Sequence, residues 1–242
     1  MDDSQLLLSK CKNMQKAING GRPCVFSDFL SFEEQRVYID FFKANHTEFA
    51  LYGGYDDSDR SMICAYFDFC PEFPIATLFF EIPLKTNFEH RDVLGALMSL
   101  GIKRELVGDI IFFEDLCIFF TVERIAQFVI QNFTSVKKSH ISVGFYNKKI
   151  EYVRAYDEMI VMASSMRLDC IVCELTNFSR TASSEYVSAG LVFVNGSECL
   201  KKDKLLQTDD VLTIRKKGKF RIGEQIGKTK KDRIRLKILK YV

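Results

Sequence analysis

Two short helical segments lie close together between Arg167 and Ile214, and this stretch constrains the fold more than any other. Arg167-Leu168-Asp169 is typical of a helix start, and apolar residues then recur at helical spacing, namely Leu168, Ile171, Val172 and Leu175. Ser179 is a favourable N-cap for a second helix, because its hydroxyl can accept a hydrogen bond from a backbone N–H. Gly190 suits the left-handed position that ends a helix. The pattern therefore predicts two consecutive helices.

Short strands are predicted after the two helices. Leu191 to Val194 are mostly apolar, and the Asn195-Gly196 dipeptide favours a tight hairpin turn, because both residues tolerate positive φ. Val211 to Ile214 predicts a return strand. Two helices packed on a small sheet leave one polar helical face exposed. We expect the basic residues of this stretch to converge there, namely Arg167, Arg180, Lys201, Lys202, Arg215, Lys216 and Lys217.

Four motifs of this stretch resemble the S4 RNA-binding domain in order and spacing, namely Arg167-Leu168-Asp169, Ser179-Arg180, Gly190 to Gly196, and Asp210 to Ile214. Ser183, Leu191 and Asp209 depart from that family's usual residues, but none of them removes an expected RNA contact. The resemblance implies an RNA-binding module over residues 167–242. We expect Ser179, Thr181 and Asn195 to contact RNA together with the cations named above.

The last part of this module is a basic extension. Arg215 to Arg221 predicts a basic turn, and Lys228 to Lys231 predicts a basic loop. Arg233 to Ile238 alternates between basic and apolar residues, so a strand there would have one cationic and one buried face. Contacts of this kind reach phosphates, and they position RNA more than they read its sequence.

Charge is distributed unevenly along the chain. Residues 1–166 contain 17 Lys/Arg and 23 Asp/Glu, a net charge of −6, whereas residues 167–242 contain 17 Lys/Arg and nine Asp/Glu, a net charge of +8. A cationic module gains affinity for a polyanion through counterion release. A solvated charged surface would show the same totals, and the motifs favour RNA over that interpretation. The acidic part is a possible binding surface for a protein partner.

Composition indicates a folded protein outside the membrane. The 242 residues include 22 Phe, enough apolar material for real cores, and are compatible with one to three compact units. No apolar run reaches the roughly 20 residues of a membrane span. The acidic start, Met1 to Ser4, lacks the basic residues of a secretory signal. We expect a cytoplasmic location and no contact with a membrane.

Eight cysteines are scattered along the chain, and Cys170-x-x-Cys173 invites a metal or redox interpretation. Four zinc ligands would need a second cysteine pair or a nearby histidine, and neither follows this pair. Both residues fall inside the first predicted helix of the RNA-binding module. We therefore expect core packing, with no metal and no cofactor.

The remaining chain predicts two further domains, and the expected class is α+β. Residues 1–74 read as an N-terminal α/β subdomain, in which Ser31 and Glu34 form a capping box. Residues 75–146 predict the order βαββαβ, a ferredoxin-like (RRM-like) domain whose last strand is Ser139 to Phe145. Residues 147–166 are expected to link it to the S4 domain. The fold alone does not establish RNA binding.

A basic loop segment carries the second resemblance. Gly101-Ile102-Lys103-Arg104 is followed by Gly108-Asp109-Ile110, and this segment in a βαββαβ domain before an S4 domain resembles the YlmH-like bacterial proteins. That resemblance implies binding to large-subunit ribosomal RNA and tRNA on stalled or split subunits, in ribosome-associated quality control, with a link to cell division. Lys103 and Arg104 would then contact phosphates, although a solvated turn would have the same sequence.

Many S4 domains are attached to enzymes, so catalysis is the main alternative. Arg167-Leu168-Asp169 matches a pseudouridine synthase segment but lacks its continuation, and the 13 glycines form no G-x-G-x-x-G loop for a methyltransferase cofactor. The three histidines lie in separate segments without an evident nucleophile. We predict a non-catalytic RNA-binding protein. The alternatives are an rRNA-modifying enzyme and a protein-interaction adaptor linked to cell division.

Overall fold

The computed structural model describes residues 3–84, 86–148, 150 and 156–241. The chain forms two compact units, residues 1–153 and 154–242. Both units combine helices with antiparallel sheets, so the α+β class predicted from the sequence is confirmed. Residues 1–74 and 75–146, expected as separate domains, belong to the same compact unit.

The first part of unit 1 combines two helices with a three-stranded sheet. Its elements are α1 (Asp3–Asn19), β1 (Cys24–Phe26), α2 (Phe32–Ala44), β2 (Glu48–Tyr52) and β3 (Met62–Tyr66). The sheet order is β1-β3-β2, with antiparallel pairs. The predicted capping box is present: the Ser31 hydroxyl accepts from the Glu34 N–H at 3.3 Å, and the Glu34 carboxylate accepts from the Ser31 N–H at 2.7 Å.

The second part of unit 1 has the predicted βαββαβ order. Its elements are β4 (Ile75–Glu81), α3 (His90–Ser99), β5 (Val107–Phe113), β6 (Leu116–Val122), α4 (Ala126–Asn132), β7 (Ser135–Val136), β8 (Ser139–His140) and β9 (Gly144–Phe145). The four-stranded sheet has the order β5-β6-β4-β9, and all its pairs are antiparallel. Each βαβ connection thus skips one strand, which is the split arrangement of ferredoxin-like folds.

The strand expected from Ser139 to Phe145 is wrong in extent. Ser139 and His140 turn back to pair with Ser135 and Val136, and only Gly144–Phe145 joins the sheet beside β4. The Ile141 N–H donates to the Thr134 carbonyl at 3.0 Å, so Ile141 still belongs to the β7–β8 hairpin and not to the four-stranded sheet. The stretch predicted as one strand is therefore divided: its first residues form a local hairpin, and its last two join the sheet.

Unit 2 is a six-stranded antiparallel sheet with two helices. Its elements are β10 (Tyr156–Ala163), α5 (Leu168–Thr176), α6 (Arg180–Ser188), β11 (Val192–Val194), β12 (Ser197–Glu198), β13 (Val211–Ile214), β14 (Gly218–Lys228) and β15 (Ile234–Tyr241). The sheet order is β10-β15-β14-β13-β11-β12. Residues 147–166 were expected as a linker, but part of this range forms β10, the edge strand that pairs with β15. Val161 and Ala163 of this strand pack in the core of unit 2.

The two helices cover one face of this sheet. Ile171 of α5 and Val187 of α6 share a core cluster with strand residues such as Leu212 and Ile238. We call the face of the sheet that carries the helices the inner face, and the opposite face the outer face. Because side chains alternate along a strand, neighbours of these core residues point to the outer face.

The turns of unit 2 agree in part with the sequence predictions. Asn195 and Gly196 have φ of 56° and 86° between β11 and β12, as a two-residue hairpin turn with positive φ requires. The basic turn expected from Arg215 to Arg221 is shorter, because β14 already begins at Gly218 and pairs with Ile214. Among the described residues, no helix is long and apolar enough to cross a membrane.

Candidate nucleic-acid interface

The start of α5 is held by an ion pair between its N-cap and its first turn. Arg167 donates to both carboxylate oxygens of Asp169, Nε to Oδ1 at 3.0 Å and Nη2 to Oδ2 at 2.9 Å. These hydrogen bonds are the main cause that lowers the pKa of Asp169 and raises the pKa of Arg167. The Asp169 side chain is 4% exposed and that of Arg167 is 36% exposed, so the guanidinium still reaches solvent.

The basic loop after β12 packs against the same helix start. The Asp169 N–H donates to the Lys202 carbonyl at 3.0 Å, and the Leu168 N–H donates to the Lys204 carbonyl at 2.8 Å. These bonds satisfy backbone donors that a helix start leaves without partners inside the helix. They also place Lys202, with the neighbouring Lys201, beside Arg167. Both lysine residues are exposed.

The start of α6 lies next to that of α5. The Ser179 hydroxyl accepts from the Ala182 N–H at 3.2 Å, so Ser179 is the N-cap that the sequence predicts. Arg180 Nη2 lies 3.8 Å from Cys170 Sγ, in the first turn of α5. This contact brings Arg180 beside the Arg167–Asp169 pair. Thr181 is exposed in the first turn of α6.

The turn between β13 and β14 divides its cations between the two faces. Lys217 Nζ lies 4.7 Å from the ring centroid of Phe178, the residue before the α6 N-cap. Arg215 Cζ instead lies 5.2 Å from the ring centroid of Phe193, which is on the outer face. Lys216 is exposed between them. The expectation that Arg215 to Lys217 all converge with Arg180 is therefore wrong for Arg215.

Cations from separate parts of the sequence therefore gather around two adjacent helix starts. We call these cations, together with the N-cap Ser179, the helix-side surface, and it consists of Arg167, Ser179, Arg180, Lys201, Lys202 and Lys217. Helix N-termini favour anions, because their backbone N–H groups and dipoles carry partial positive charge. This arrangement of cations and helix N-termini is suited to binding phosphate groups.

Asn195 does not belong to this surface. It is 6% exposed, its Nδ2 donates to Asp210 Oδ1 at 2.7 Å, and its Oδ1 accepts from the Val211 N–H at 2.7 Å. The side chain therefore holds the β11–β12 turn against the start of β13. Because both ends of its amide are used inside the fold, the structure favours a structural role for Asn195 over the RNA contact expected from the sequence.

Arg104 is also a structural residue. Its guanidinium donates to the carbonyls of Val107 and Gly108, the latter at 3.2 Å. Burial lowers its pKa to about 10, and the nearby positive charge of Arg60 contributes. Arg104 thus departs from its expected role as a phosphate contact, whereas Lys103, beside it, is exposed in unit 1.

The rest of this motif holds the loop between β2 and β3. Buried Asp109 accepts from the Tyr55 hydroxyl at 2.8 Å, the Asp59 N–H at 2.7 Å and the Arg60 N–H at 3.2 Å. Arg60 in turn donates to the Val107 carbonyl at 3.2 Å. The motif that suggested a phosphate contact therefore connects the two parts of unit 1.

Cations of the basic extension, expected from the sequence as phosphate-type contacts, lie on the outer face of unit 2. Lys219 Nζ lies 4.4 Å from the Tyr241 ring centroid, and Arg221 Cζ lies 5.6 Å from that of Tyr156. Arg235 and Lys237 alternate with the buried Leu236 and Ile238. The strict alternation of this strand was the sequence signal for such a face, but sequence alone did not show that it lies opposite the helices.

Fold and charge together define a two-unit α+β protein with a cationic surface of the kind that holds nucleic acid. Residues 71–150, in unit 1, match the family model described as "Putative RNA-binding domain in YlmH". The chain is 30% identical over 217 residues to "Ribosome-associated protein quality control protein P2" of Bacillus subtilis (strain 168), covering 87% of this chain and 84% of that protein. The chain belongs to the YlmH family.

A solved structure supports the fold. It is called "Cell division protein ylmH from Streptococcus pneumoniae" and superposes with a TM-score of 0.52 at 19% identity, covering 60% of this chain and 92% of that one. At this identity the likeness concerns architecture. It agrees with the mixed α and β architecture described above.

Proposed function

We propose that this chain is a non-catalytic RNA-binding protein that docks on the large ribosomal subunit. It contacts ribosomal RNA and tRNA there, and its role is in ribosome-associated quality control. One observation carries the proposal: cations far apart in sequence, including Arg167, Arg180 and Lys202, lie around two adjoining helix starts. The relative's name and the RNA-binding description of the matching family model support it.

The chemistry of the helix-side surface suits an RNA backbone. Arg167 and Arg180 offer planar guanidinium groups that match phosphate oxygens, and the lysines add point charges. Arg167 is oriented by its bond to buried Asp169, so less conformational freedom is lost on binding. These groups recognise charge and shape, so specificity comes from the fold of the RNA. This is the role expected of an S4-type module.

Charge reversal on the helix-side surface tests the proposal. The double variant Arg180→Glu/Lys202→Glu should greatly weaken co-sedimentation with purified large subunits, because repulsion replaces attraction at neighbouring phosphates. Both residues are exposed, so the fold should survive, and circular dichroism melting checks this. The control Lys12→Glu/Lys16→Glu changes charge equally on exposed positions of α1 and should co-sediment normally. Undiminished co-sedimentation of the first variant would contradict the proposal.

The non-catalytic part of the proposal has a separate test. Purified protein is incubated with ribosomal RNA, and the RNA is digested to nucleosides and analysed by mass spectrometry. Unchanged nucleoside composition is expected. A new methylated nucleoside in the presence of a methyl donor, or new pseudouridine, would establish the rRNA-modifying alternative.

An adaptor role is the second candidate, and one feature of unit 1 favours it. Phe67 and Phe69 are 78% and 69% exposed on either side of Asp68, just after β3. Exposed aromatic residues of this kind often mark protein-binding sites. The variant Phe67→Ser/Phe69→Ser should then lose a co-purifying protein while it keeps RNA affinity. If the same proteins co-purify with this variant and with the wild type, the adaptor role is contradicted.

A further inference from the structure

The outer face of the unit 2 sheet is cationic as well. In an antiparallel pair, directly opposed residues point to the same face. Ile160 is opposite Lys237, and Met162 is opposite Arg235. Their neighbours Val161 and Leu236 are buried in the core with the helices, so these four side chains lie on the outer face. Ile160 is 53% and Met162 is 47% exposed, which keeps this part of the face accessible.

Aromatic residues accompany the cations further along the same face. Tyr156 is opposite Tyr241, and their ring centroids are 5.1 Å apart. Lys219 lies over the Tyr241 ring, and Arg221 lies within 6 Å of both tyrosine centroids. Cations interleaved with aromatic rings on a sheet are typical of surfaces that bind nucleic-acid strands.

The turn between β14 and β15 forms a defined basic tip at the end of these two strands. The Thr229 N–H donates to the Arg233 carbonyl at 2.8 Å, and the Asp232 N–H donates to the Thr229 carbonyl at 2.9 Å. Lys228 Nζ pairs with Asp232 Oδ1 at 2.7 Å. These bonds close the turn and leave Lys230 and Lys231 exposed at its centre. The tip is therefore a shaped cationic element.

The charge balance of this region is strongly positive. Residues 218–241 contain nine Lys/Arg and two Asp/Glu, a net charge of +7. On the outer face lie Lys219, Arg221, Arg235 and Lys237, of which Lys237 pairs with Glu158 at 2.7 Å. We call these four cations, together with the turn residues Lys230 and Lys231, the sheet-side surface. The helices lie on the inner face, so the sheet separates much of this surface from Arg167 and Arg180. A single straight RNA segment that binds one of these surfaces therefore cannot also contact the other.

We propose that the sheet-side surface binds a second segment of RNA, so that unit 2 holds two RNA segments at once, one on each side of the sheet. The identity of the polyanion as RNA rests on the function proposed above. The cations contact phosphates, and the tyrosine pair supports a base or ribose beside them. An acidic protein would match the charge but would make less use of the aromatic rings among the cations.

A bridging assay tests this directly. A biotinylated RNA hairpin is fixed to beads, full-length protein is added, and capture of a second, fluorescent RNA hairpin is measured. Wild-type protein should capture the second RNA. The sheet-side variant Lys230→Glu/Lys231→Glu and the helix-side variant Arg180→Glu/Lys202→Glu should each lose most capture, although each still binds a single labelled RNA. The α1 variant Lys12→Glu/Lys16→Glu should bridge normally.

Further arms separate the possible failures. Arg235→Gln/Lys237→Gln is a second sheet-side variant, with the substitutions in β15 instead of the turn. If both sheet-side variants capture the second RNA as well as the wild type does, the inference is overturned. An equimolar mixture of sheet-side and helix-side variants should not restore capture, because one chain must carry both surfaces. Restored capture would assign bridging to pairs of chains and also overturn it.

The salt dependence of affinity distinguishes the two proposals from each other. Each lost phosphate contact should reduce the slope of log affinity against log salt by roughly one. If only the helix-side variant changes the slope, the sheet-side inference fails and the proposed function stands. If only the sheet-side variant changes it, the helix-side assignment fails and RNA binds the outer face alone. No bridging by the wild type would overturn the two-segment inference.

Discussion

Arg167 and Asp169 form a two-bond ion pair across the start of α5, with Nε–Oδ1 and Nη2–Oδ2 distances of 3.0 and 2.9 Å. Asp169 also accepts from the Cys170 N–H at 2.9 Å, so one buried carboxylate binds a backbone N–H of the first turn and orients the guanidinium. Arg167, which we propose contacts RNA, and the helix start are therefore one structural element. A change at Asp169 should affect stability and binding together.

Asp169→Asn should destabilise unit 2 by about 1–3 kcal/mol near neutral pH, because it weakens charge-assisted hydrogen bonds to a buried group. RNA affinity should also fall, since Arg167 loses the partner that orients it. Denaturant titration and RNA binding by fluorescence anisotropy measure the two effects. Arg167→Lys is the matched variant, because it keeps the charge but loses the two-bond geometry. Its stability and RNA affinity should lie between those of the wild type and of Asp169→Asn.

The same pair gives a pH dependence. The folded-state pKa of Asp169 lies below its ordinary value of 3.8, so its contribution to stability is complete above that value and is lost as pH falls through the lower pKa. The stability difference between wild type and Asp169→Asn should therefore be constant from neutral pH to about pH 5 and shrink below about pH 4. A difference that stays constant down to acid unfolding would show that the ion pair is not its source.

Asn195→Ala should destabilise unit 2 without changing the RNA affinity of the folded protein. The change removes buried hydrogen bonds to Asp210 and Val211 and puts Ala at a φ of 56°. A cost of about 1–3 kcal/mol is expected from the unsatisfied buried groups. Asn195→Gly tolerates the positive φ but still loses the amide, so it separates the two causes. Weaker RNA binding by the fully folded Asn195→Gly would restore Asn195 to the interface.

Local patterns in the sequence were sufficient where short-range physics decides the structure. Ser31 and Ser179 cap the predicted helices, and Asn195-Gly196 makes the predicted turn, because each depends on residues only a few positions away. The same reasoning could not show that both ends of the Asn195 amide are used. Asp210, its partner, is 15 residues away and is brought in only by strand pairing.

Long-range pairing also explains the errors in the candidate site. Arg104 was expected to contact phosphates from a basic loop, but its guanidinium donates to the Val107 and Gly108 carbonyls of β5. Arg215 and Lys217 are two residues apart, yet they lie against Phe193 and Phe178 on different sides of unit 2. The number and approximate position of the cations follow from the sequence. Their division between two faces follows from the strand order.

Gly108→Ala should destabilise unit 1 and leave RNA binding by unit 2 intact. A Cβ at Gly108 would lie 2.7 Å from Phe29 Cε1 and 3.0 Å from Phe120 Cβ, so packed aromatic side chains would have to move. Overpacking of this kind costs about 1–3 kcal/mol. Gly95→Ala in α3 is the matched control, because no atom lies within 4 Å of its new Cβ. Helix propensity predicts a gain of roughly 0.8–1 kcal/mol there. Equal stability of the two variants would refute the packing role of Gly108.

Lys103 and Arg104 are adjacent, and the structure assigns them different properties that mutation can separate. Arg104→Ala should lower the stability of unit 1, because it removes hydrogen bonds to the Val107 and Gly108 carbonyls. Lys103→Ala should leave stability unchanged, because its side chain is exposed. If this loop is a second phosphate contact, Lys103→Ala alone should reduce the salt-dependence slope of binding to ribosomal RNA by roughly one. Melting curves and anisotropy titrations over a salt series measure both. If the slope of Lys103→Ala is unchanged, either Arg104 is the phosphate contact of this loop or the loop does not bind RNA. The slope of Arg104→Gln, measured where this variant is fully folded, decides between these two outcomes.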